Sequence, residues 1–496
     1  MLQAQRLEPL SFNIQTDPEF YKTVESTILT LFPNAQFSGG RNITIHSQVS
    51  KEGIRTEVIL ADSTVRWEIF DQEISDSGYT VADWKRRRKE RIRLGLIQVL
   101  TQEYQLKPSP WGILVGVRPT KLIHSFFDRG FSLEKIKYLL SEVYGLESSR
   151  QGLLLEVVSK QRLYFHEQVH NPIGIYIGVP FCPTRCKYCS FAAYPLASHG
   201  HLVDGFINAL YHEIEEIGCL LQELGIMIES VYVGGGTPTI IRGNRLIKLL
   251  ALLNKYFAVS QSREFTVEAG RPETLDLETC QILQQAGVHR ISINPQTMND
   301  QTLVRIGRDH TSAQVRQAFE YAKTAGITTI NADLIIGLPG ETLSDLEHTL
   351  TEVGKLEPDN ITVHSLAMKR AAEWRKSTLE QLYQEQALGE SMSQLTQDYV
   401  RSLGLEPYYL YRQRKIFSDL ENIGYAKPGT ESVYNIQMME ERQSIVSLGG
   451  GAISKFVKAD LSLLRHANPK CPATYSQQIE EIIAAKKCLI RQYLVV

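Results

Sequence analysis

Within the first 168 residues, apolar and polar positions alternate in short runs, NITIHSQV, IRTEVIL and VRWEIF. A period of two is that of a strand with one buried face. A charged segment, TVADWKRRRKERIRLGLIQVLTQEY, follows and reads as one long helix. Strands followed by a helix predict a small N-terminal accessory α+β domain over residues 1–168.

The pattern changes near residue 173. Six strand-like runs appear, IYIGVPF, SVYVGGG, EFTVEAG, HRISINPQ, TTINADLIIGLP and NITVHSLAM, separated by helix-like stretches over 201–224, 243–256, 276–286, 300–323 and 342–355. Strands alternating with helices pair in parallel through right-handed crossovers. The fold class this predicts is α/β, a partial (β/α)6 TIM-like barrel over residues 169–372. Reactive groups in such barrels gather at the carboxyl ends of the strands. Residues 373–496 read as an α-rich region on the substrate side, closing the open side of the barrel. Its helical segments are rich in Glu and Gln, and YYLYRQRK, ENIGYAKPG and IVSLGGGAISKF follow them.

Composition narrows the classes. With 496 residues, 43% of them hydrophobic, the chain can bury more than one core. Lys plus Arg (53) nearly balances Asp plus Glu (55), so no overall field recruits nucleic acid or an anionic membrane. The one dense basic run, Lys85 to Arg93, reads as a solvated helix face. The start, MLQAQRLEPLSFNIQ, lacks a secretory profile, and LIKLLALLNKYF is too short to span a bilayer. A cytoplasmic protein without stable membrane insertion is the expectation. Seven cysteines, an odd number, argue against a disulfide framework. Cys219, Cys280, Cys471 and Cys488 are scattered in helical-looking contexts and read as buried or half-buried side chains.

The other three cysteines share the stretch FCPTRCKYCSF just after the first barrel strand: Cys182, Cys186 and Cys189, spaced Cys-x3-Cys-x2-Cys. Structural zinc takes four ligands, usually from two knuckles, and no second knuckle lies nearby. A [4Fe-4S] cluster held by three cysteines keeps one iron open for chemistry. Three ordinary buried thiols have no packing reason to cluster at a strand end.

This spacing resembles the signature of the radical S-adenosylmethionine (SAM) family. YIGVPFCPTRCKYCSF is similar to the opening motif of its oxygen-independent coproporphyrinogen III dehydrogenase group, and GGGTPT, VEAGRP, GVHRISINPQT, GRDHT and NADLIIGLP follow in that group's order. PWGILVGVRPTK, VHSLAMKRAA and YYLYRQRK resemble the HemZ branch of the group. The resemblance implies a [4Fe-4S] cluster on Cys182, Cys186 and Cys189, SAM as second cofactor, a reductase or a flavodoxin or ferredoxin as electron donor, and a porphyrinogen substrate. It implies that Gly235, Gly236 and Thr237 hold the SAM amino group, and that Glu268, Gln296 and Asp333 bind SAM. Arg308 is implied to meet the SAM carboxylate, Ala367 to offer its backbone near the adenosyl group, and Tyr176 and Tyr188 to line the adenosyl or substrate pocket beside the reaction. Taken alone, GGGTP is as readily a tight turn, Glu268 or Asp333 an acid paired with Arg290, Arg308 a surface ion pair, and the tyrosines packing residues. Two positions depart from the group: Gly178 stands where relatives commonly carry His, and Phe191 where the founding enzyme carries a further Cys.

The activity so implied is oxidative decarboxylation of coproporphyrinogen III to protoporphyrinogen IX without oxygen. A SAM-derived radical takes hydrogen from a propionate β-carbon, and loss of CO2 and one electron leaves a vinyl group. A haem-binding chaperone and a radical methyltransferase acting on haem are the alternatives. A substrate with four propionates needs local cations in a chain of net charge −2. Arg118 with Lys121, Lys369 with Arg370, and Arg412 with Arg414 are the candidates, the middle pair lying nearest the last barrel strand.

Overall fold

The computed structural model describes residues 10–71, 80–114, 116, 118–166, 172–189, 193–259, 262–367, 386–413 and 417–495. The chain forms two compact units: residues up to Gly116 with Leu122–Leu155, and Val117–Lys121 with everything from Glu156 on.

In the first unit, β1 (Ser11–Gln15), β2 (Gln36–Ser50), β3 (Gly53–Leu60) and β4 (Arg66–Asp71) form one sheet in that order, with β1 and β2 parallel and the remaining pairs antiparallel. Helices α1 (Tyr21–Leu31) and α2 (Val81–Glu103) share its core, where Phe12, Phe20, Val24, Ile45, Val58, Ile92 and Leu96 are buried. A Thr80–Asp83 capping box starts α2. The basic run on α2 is not a solvated face. Arg87 and Arg91 are buried on Asp71, at 3.0 and 2.8 Å, while Arg88 reaches Asp17 and Glu19. Two guanidiniums on one buried carboxylate hold it below the usual range, against the opposing effect of burial.

The second unit is built on an eleven-stranded sheet. Its strands are β5 (Ile173–Val179), β6 (Ile228–Gly235), β7 (Glu264–Glu268), β8 (Arg290–Gln296), β9 (Thr329–Ile336), β10 (Asn360–Ser365), β11 (Glu406–Tyr411), β12 (Asn422–Ala426), β13 (Ile445–Gly449), β14 (Ile453–Val457) and β15 (Leu463–Ala467). The order is β11-β12-β10-β9-β8-β7-β6-β5-β13-β14-β15. Strands β5 to β10 are parallel, as the sequence pattern predicts. What the pattern does not disclose is that the C-terminal region adds strands to both edges: β12 runs antiparallel beside β10, and β13 parallel beside β5.

Along the parallel strands one set of alternate residues is apolar and buried: Ile175, Ile177, Val231, Val233, Phe265, Val267, Ile291 and Ile293. The other set is polar and bonds within and between strands. Asn331 donates to Ser292 and Asp333, each at 2.7 Å, and Thr362 donates to Asn331 at 3.1 Å. Apolar packing faces the helices and a polar lining faces inward, so period two decides which side can hold a ligand.

Its helices include α3 (Val203–Glu223), α4 (Gly243–Phe257), α5 (Leu277–Gln285), α6 (Ser312–Ala325), α7 (Leu343–Gly354), α8 (Gln386–Ser402), α9 (Val433–Glu440) and α10 (Ile479–Tyr493). Four agree with the expected helices to within a few residues; 300–323 does not. It splits into a short helix, Asp300–Arg305, and α6, because Gly307 takes a left-handed φ of 75° that ends the first turn. Helix α9 closes the amino ends of the strands: Ser432 and the Tyr434 N–H both donate to Glu264, the first residue of β7, at 2.8 and 3.1 Å. Glu213 of α3 and Lys486 of α10 form an ion pair with no solvent exposure, and Tyr475, Asn468 and the Gly449 N–H also donate to Glu213. Cys280 is buried and Cys471 half-buried, whereas Cys219 and Cys488 are exposed, on the outward faces of α3 and α10. Among the described residues no helix is long and apolar enough to cross a membrane.

Candidate functional site

The loop after β5 carries Cys182, Cys186 and Cys189, the first buried and the others half-buried. Cys182 lies against the turn that ends β6. Thr237 donates to its Sγ at 3.4 Å, and the Gly236 and Thr237 N–H groups bond back to Val179 and Phe181. A β-carbon on Gly236 would stand 2.3 Å from the Phe181 carbonyl oxygen and 2.9 Å from Cys182 Sγ. Gly235 has φ 116°, a left-handed-side conformation that side chains resist. The glycines are therefore required by close approach, whichever ligand the turn serves.

Arg271, in VEAGRP, is a residue the sequence reading passed over. Buried, it donates to Cys186 Sγ at 3.3 Å and to Thr184 Oγ1 at 2.7 Å, and is held by Glu273 at 2.6 Å. Its only prior signal was its place directly after a strand-end glycine. Arg308 is also buried and is not a surface ion pair: its Nε and Nη2 donate to the Tyr188 hydroxyl at 3.2 and 3.0 Å, and its Nη1 to the Gly270 carbonyl at 2.8 Å. The break at Gly307 turns the chain inward there, and the Lys187 N–H bonds the Ile306 carbonyl, tying this corner to the cysteine loop.

Glu268 ends β7 and accepts from Tyr232 at 2.8 Å and from the Gly235 N–H at 3.1 Å. Burial pushes its carboxyl up to about 7; these two hydrogen bonds pull it down and nearby Asp333 pushes it further up. Neither acid pairs with Arg290, which lies at the other end of its strand near Glu264 and donates to Asn360 and the Thr430 carbonyl. Asp333 instead has His364 at 3.6 Å, and His364 meets the Tyr411 hydroxyl at 3.0 Å. Gln296 is buried with φ 68°, and its side-chain carbonyl has no hydrogen-bond partner among the described residues. Below these groups Tyr176 stacks with Tyr232 and with Tyr434 of α9, at centroid distances of 6.2 and 5.9 Å. Ala367 is half-buried just beyond β10.

Gly178 has a tertiary reason. A β-carbon there would come within 3.0 Å of the Gly450 carbonyl and 3.3 Å of the Tyr176 ring, so a side chain such as His would need these neighbours to shift. Phe191 lies outside the described residues, as do Lys369, Arg370 and Arg414. The other cations expected to grip propionates are engaged elsewhere. Arg412 is buried against Asp419, and Arg118 and Lys121 pair with Glu441 at the amino ends of the strands, opposite the cysteines.

These residues suit a [4Fe-4S] cluster and SAM. A cubane takes one thiolate per iron, so its cysteines stand around it rather than converge. Among the described residues no three His, Cys, Asp or Glu side chains are grouped so as to hold a metal ion. Burial pushes the Cys182 thiol up to about 11, a cost that a bound cationic centre offsets by favouring thiolate. The glycine turn, the orphaned Gln296 oxygen and the Arg308 fork supply acceptor and donor groups suited to an amino acid moiety.

Residues 176–353 match the Radical SAM superfamily. The chain is 38% identical over 450 residues, covering 88% of its length and 86% of the relative's, to the oxygen-independent coproporphyrinogen-III oxidase-like protein HemZ of Bacillus subtilis (strain 168). It is 33% identical over 282 residues, 56% of this chain and 69% of the other, to the heme chaperone HemW of the same organism. The solved structure of coproporphyrinogen III oxidase (HemN) from Escherichia coli aligns with TM-score 0.49 and 22% identity over 64% of this chain and 71% of that one. Its similarity to HemZ along most of both sequences, with the superfamily match spanning the cysteine loop, shows that the chain belongs to the radical SAM superfamily, which works with a [4Fe-4S] cluster and SAM.

Proposed function

We propose that the protein decarboxylates coproporphyrinogen III oxidatively, converting two propionates to vinyl groups. The observation that carries the reading is a juxtaposition. The three-cysteine loop and its glycine turn meet a polar, tyrosine-lined barrel interior at the carboxyl ends of the parallel strands. The extent of the likeness to HemZ supports it. When bound, the cluster and SAM supply one-electron cleavage and the hydrogen-abstracting group. In this reading Cys182, Cys186 and Cys189 ligate the cluster, with Arg271 steadying the Cys186 sulfur. Gly235, Gly236, Thr237, Gln296 and Arg308 hold the amino acid end of SAM, Glu268 and Asp333 its amino and ribose groups, and Ala367 borders the adenosyl group. Tyr188 positions Arg308, while Tyr176 with Tyr232 and Tyr434 keeps water from the floor of the chamber. The electron comes from a reductase, flavodoxin or ferredoxin.

The likeness to HemW favours a second reading, a haem chaperone, although it covers 56% of this chain rather than 88%. One experiment separates them. The reconstituted protein, kept anaerobic, is given coproporphyrinogen III, SAM and reduced flavodoxin, and CO2, methionine and porphyrin products are quantified; haem titration runs in parallel. Two CO2 released per protoporphyrinogen IX is the expected outcome. Stoichiometric haem binding with no CO2 release would establish the chaperone reading instead.

A further inference from the structure

At the amino ends of the strands, four cationic side chains converge on one carboxylate. Glu441, almost fully buried and left-handed at φ 53°, pairs with Arg118 and Lys121 at 2.6 Å each, and with Lys455 and Arg465 at 3.0 Å each. Two of the four come from the GVRPTK motif, which the reaction chamber does not use. No other acid pairs with these four among the described residues, so three positive charges are unmatched around Glu441. The neighbouring Glu440 offsets only part of this, because burial pushes its carboxyl up to about 7, with Thr120 and Gln161 donating to it. Among the described residues the buried Arg118 Nε has no acceptor. Lys455 registers the excess: burial, then repulsion from Arg118, holds its ammonium down to about 8, and Arg465 adds to the effect. Arg465 and Lys121 keep 53% and 36% of their side-chain surface in solvent, so their donors are open to a ligand.

The cluster is remote from the cysteines. Glu441 precedes β13, which runs parallel to β5, whereas Cys182 follows the carboxyl end of β5; the two lie a strand's length apart, roughly 20 Å.

We propose that Arg118, Lys121, Lys455 and Arg465 form a binding site for a multiply charged oxyanion, separate from the reaction chamber. Two guanidinium forks and two ammonium groups gathered on one carboxylate suit a phosphate chain or a tricarboxylate. The ligand supplies the charge that Glu441 alone does not.

The test is calorimetric titration of the full-length protein with tripolyphosphate and, separately, citrate, at constant ionic strength, with NaCl as the control. Saturable one-to-one binding is expected for at least one of the two, weakened about tenfold or more in Arg465→Ser and in Lys121→Ser, each of which removes one charge-assisted contact. Binding by tripolyphosphate alone would assign the phosphate class, and by citrate alone the carboxylate class. Both variants keep Arg118 and Lys455 on Glu441, and unchanged melting temperatures without ligand verify that they fold. Heats no larger than those of NaCl, or equal affinity in parent and variants, would overturn the proposal and leave the cluster as an internal brace.

Discussion

Replacing Arg308 offers the sharpest check on how the chamber holds SAM. A guanidinium has five N–H donors, and three are spent within the protein: two on the Tyr188 hydroxyl at 3.2 and 3.0 Å, and one on the Gly270 carbonyl at 2.8 Å. The remaining two are free to meet a carboxylate. Arg308→Lys keeps the charge but has three donors, which the same two oxygens largely consume, and it loses the planar fork. A charge-assisted contact is worth about 1.5–3 kcal/mol, so SAM affinity should fall roughly 10- to 150-fold. Arg308→Ala should lose at least as much. It also strands the half-buried Tyr188 hydroxyl and the buried Gly270 carbonyl, costing about 1–3 kcal/mol of stability. Tyr188→Phe keeps the guanidinium and its two outward donors but removes the hydroxyl that positions them, so SAM affinity should fall less than in either Arg308 variant. The assay is anaerobic calorimetry of SAM against reconstituted protein, with a urea melt of each variant. Affinities of Arg308→Lys and Arg308→Ala both within twofold of the parent would refute the reasoning.

Gly236→Ala places a methyl 2.3 Å from the Phe181 carbonyl, so the cysteine loop must move; iron content after reconstitution should fall well below the parent's. Cys182→Ala should abolish the brown chromophore while Cys219→Ser leaves it intact, as read by absorbance and iron analysis. Burial pushes the Glu341 carboxyl up to about 7, and a group raised in the folded state gives stability that is fully present below its unfolded value and lost as pH rises through the folded one. Glu341→Gln, which keeps the hydrogen bond from Thr297, should therefore be more stable than the parent at pH 8, by at most about 3 kcal/mol, with the gap closing below about pH 5; melting temperatures at the two pH values decide it. Lys486→Met leaves Glu213 buried without its counter-ion and should cost about 3–5 kcal/mol in urea unfolding, most of it recovered by adding Glu213→Gln.

What the sequence determined by itself was local. The Cys-x3-Cys-x2-Cys spacing, the glycines at the end of β6 and the succession of strand and helix are written within a few residues of each other, where backbone geometry is set by immediate neighbours. The six parallel strands followed from that, and so did the convergence of Thr237 and Glu268 on the same strand ends, since parallel strands bring their carboxyl ends together. Only the tertiary structure decided who answers whom across long separations. Lys121 and Glu441 are 320 residues apart in sequence, yet they meet at 2.6 Å and take a propionate candidate out of the chamber. Arg91, in a run that looks like a solvated face, is buried on Asp71 because α2 lies across the sheet. The C-terminal strands join both edges of the barrel sheet, and Tyr434 of α9 completes the stacked floor. The identity of a charge's partner, and which helix closes an open end, depend on how distant segments pack once their apolar faces are buried. A periodic pattern records that a residue has a buried side, not what lies opposite it.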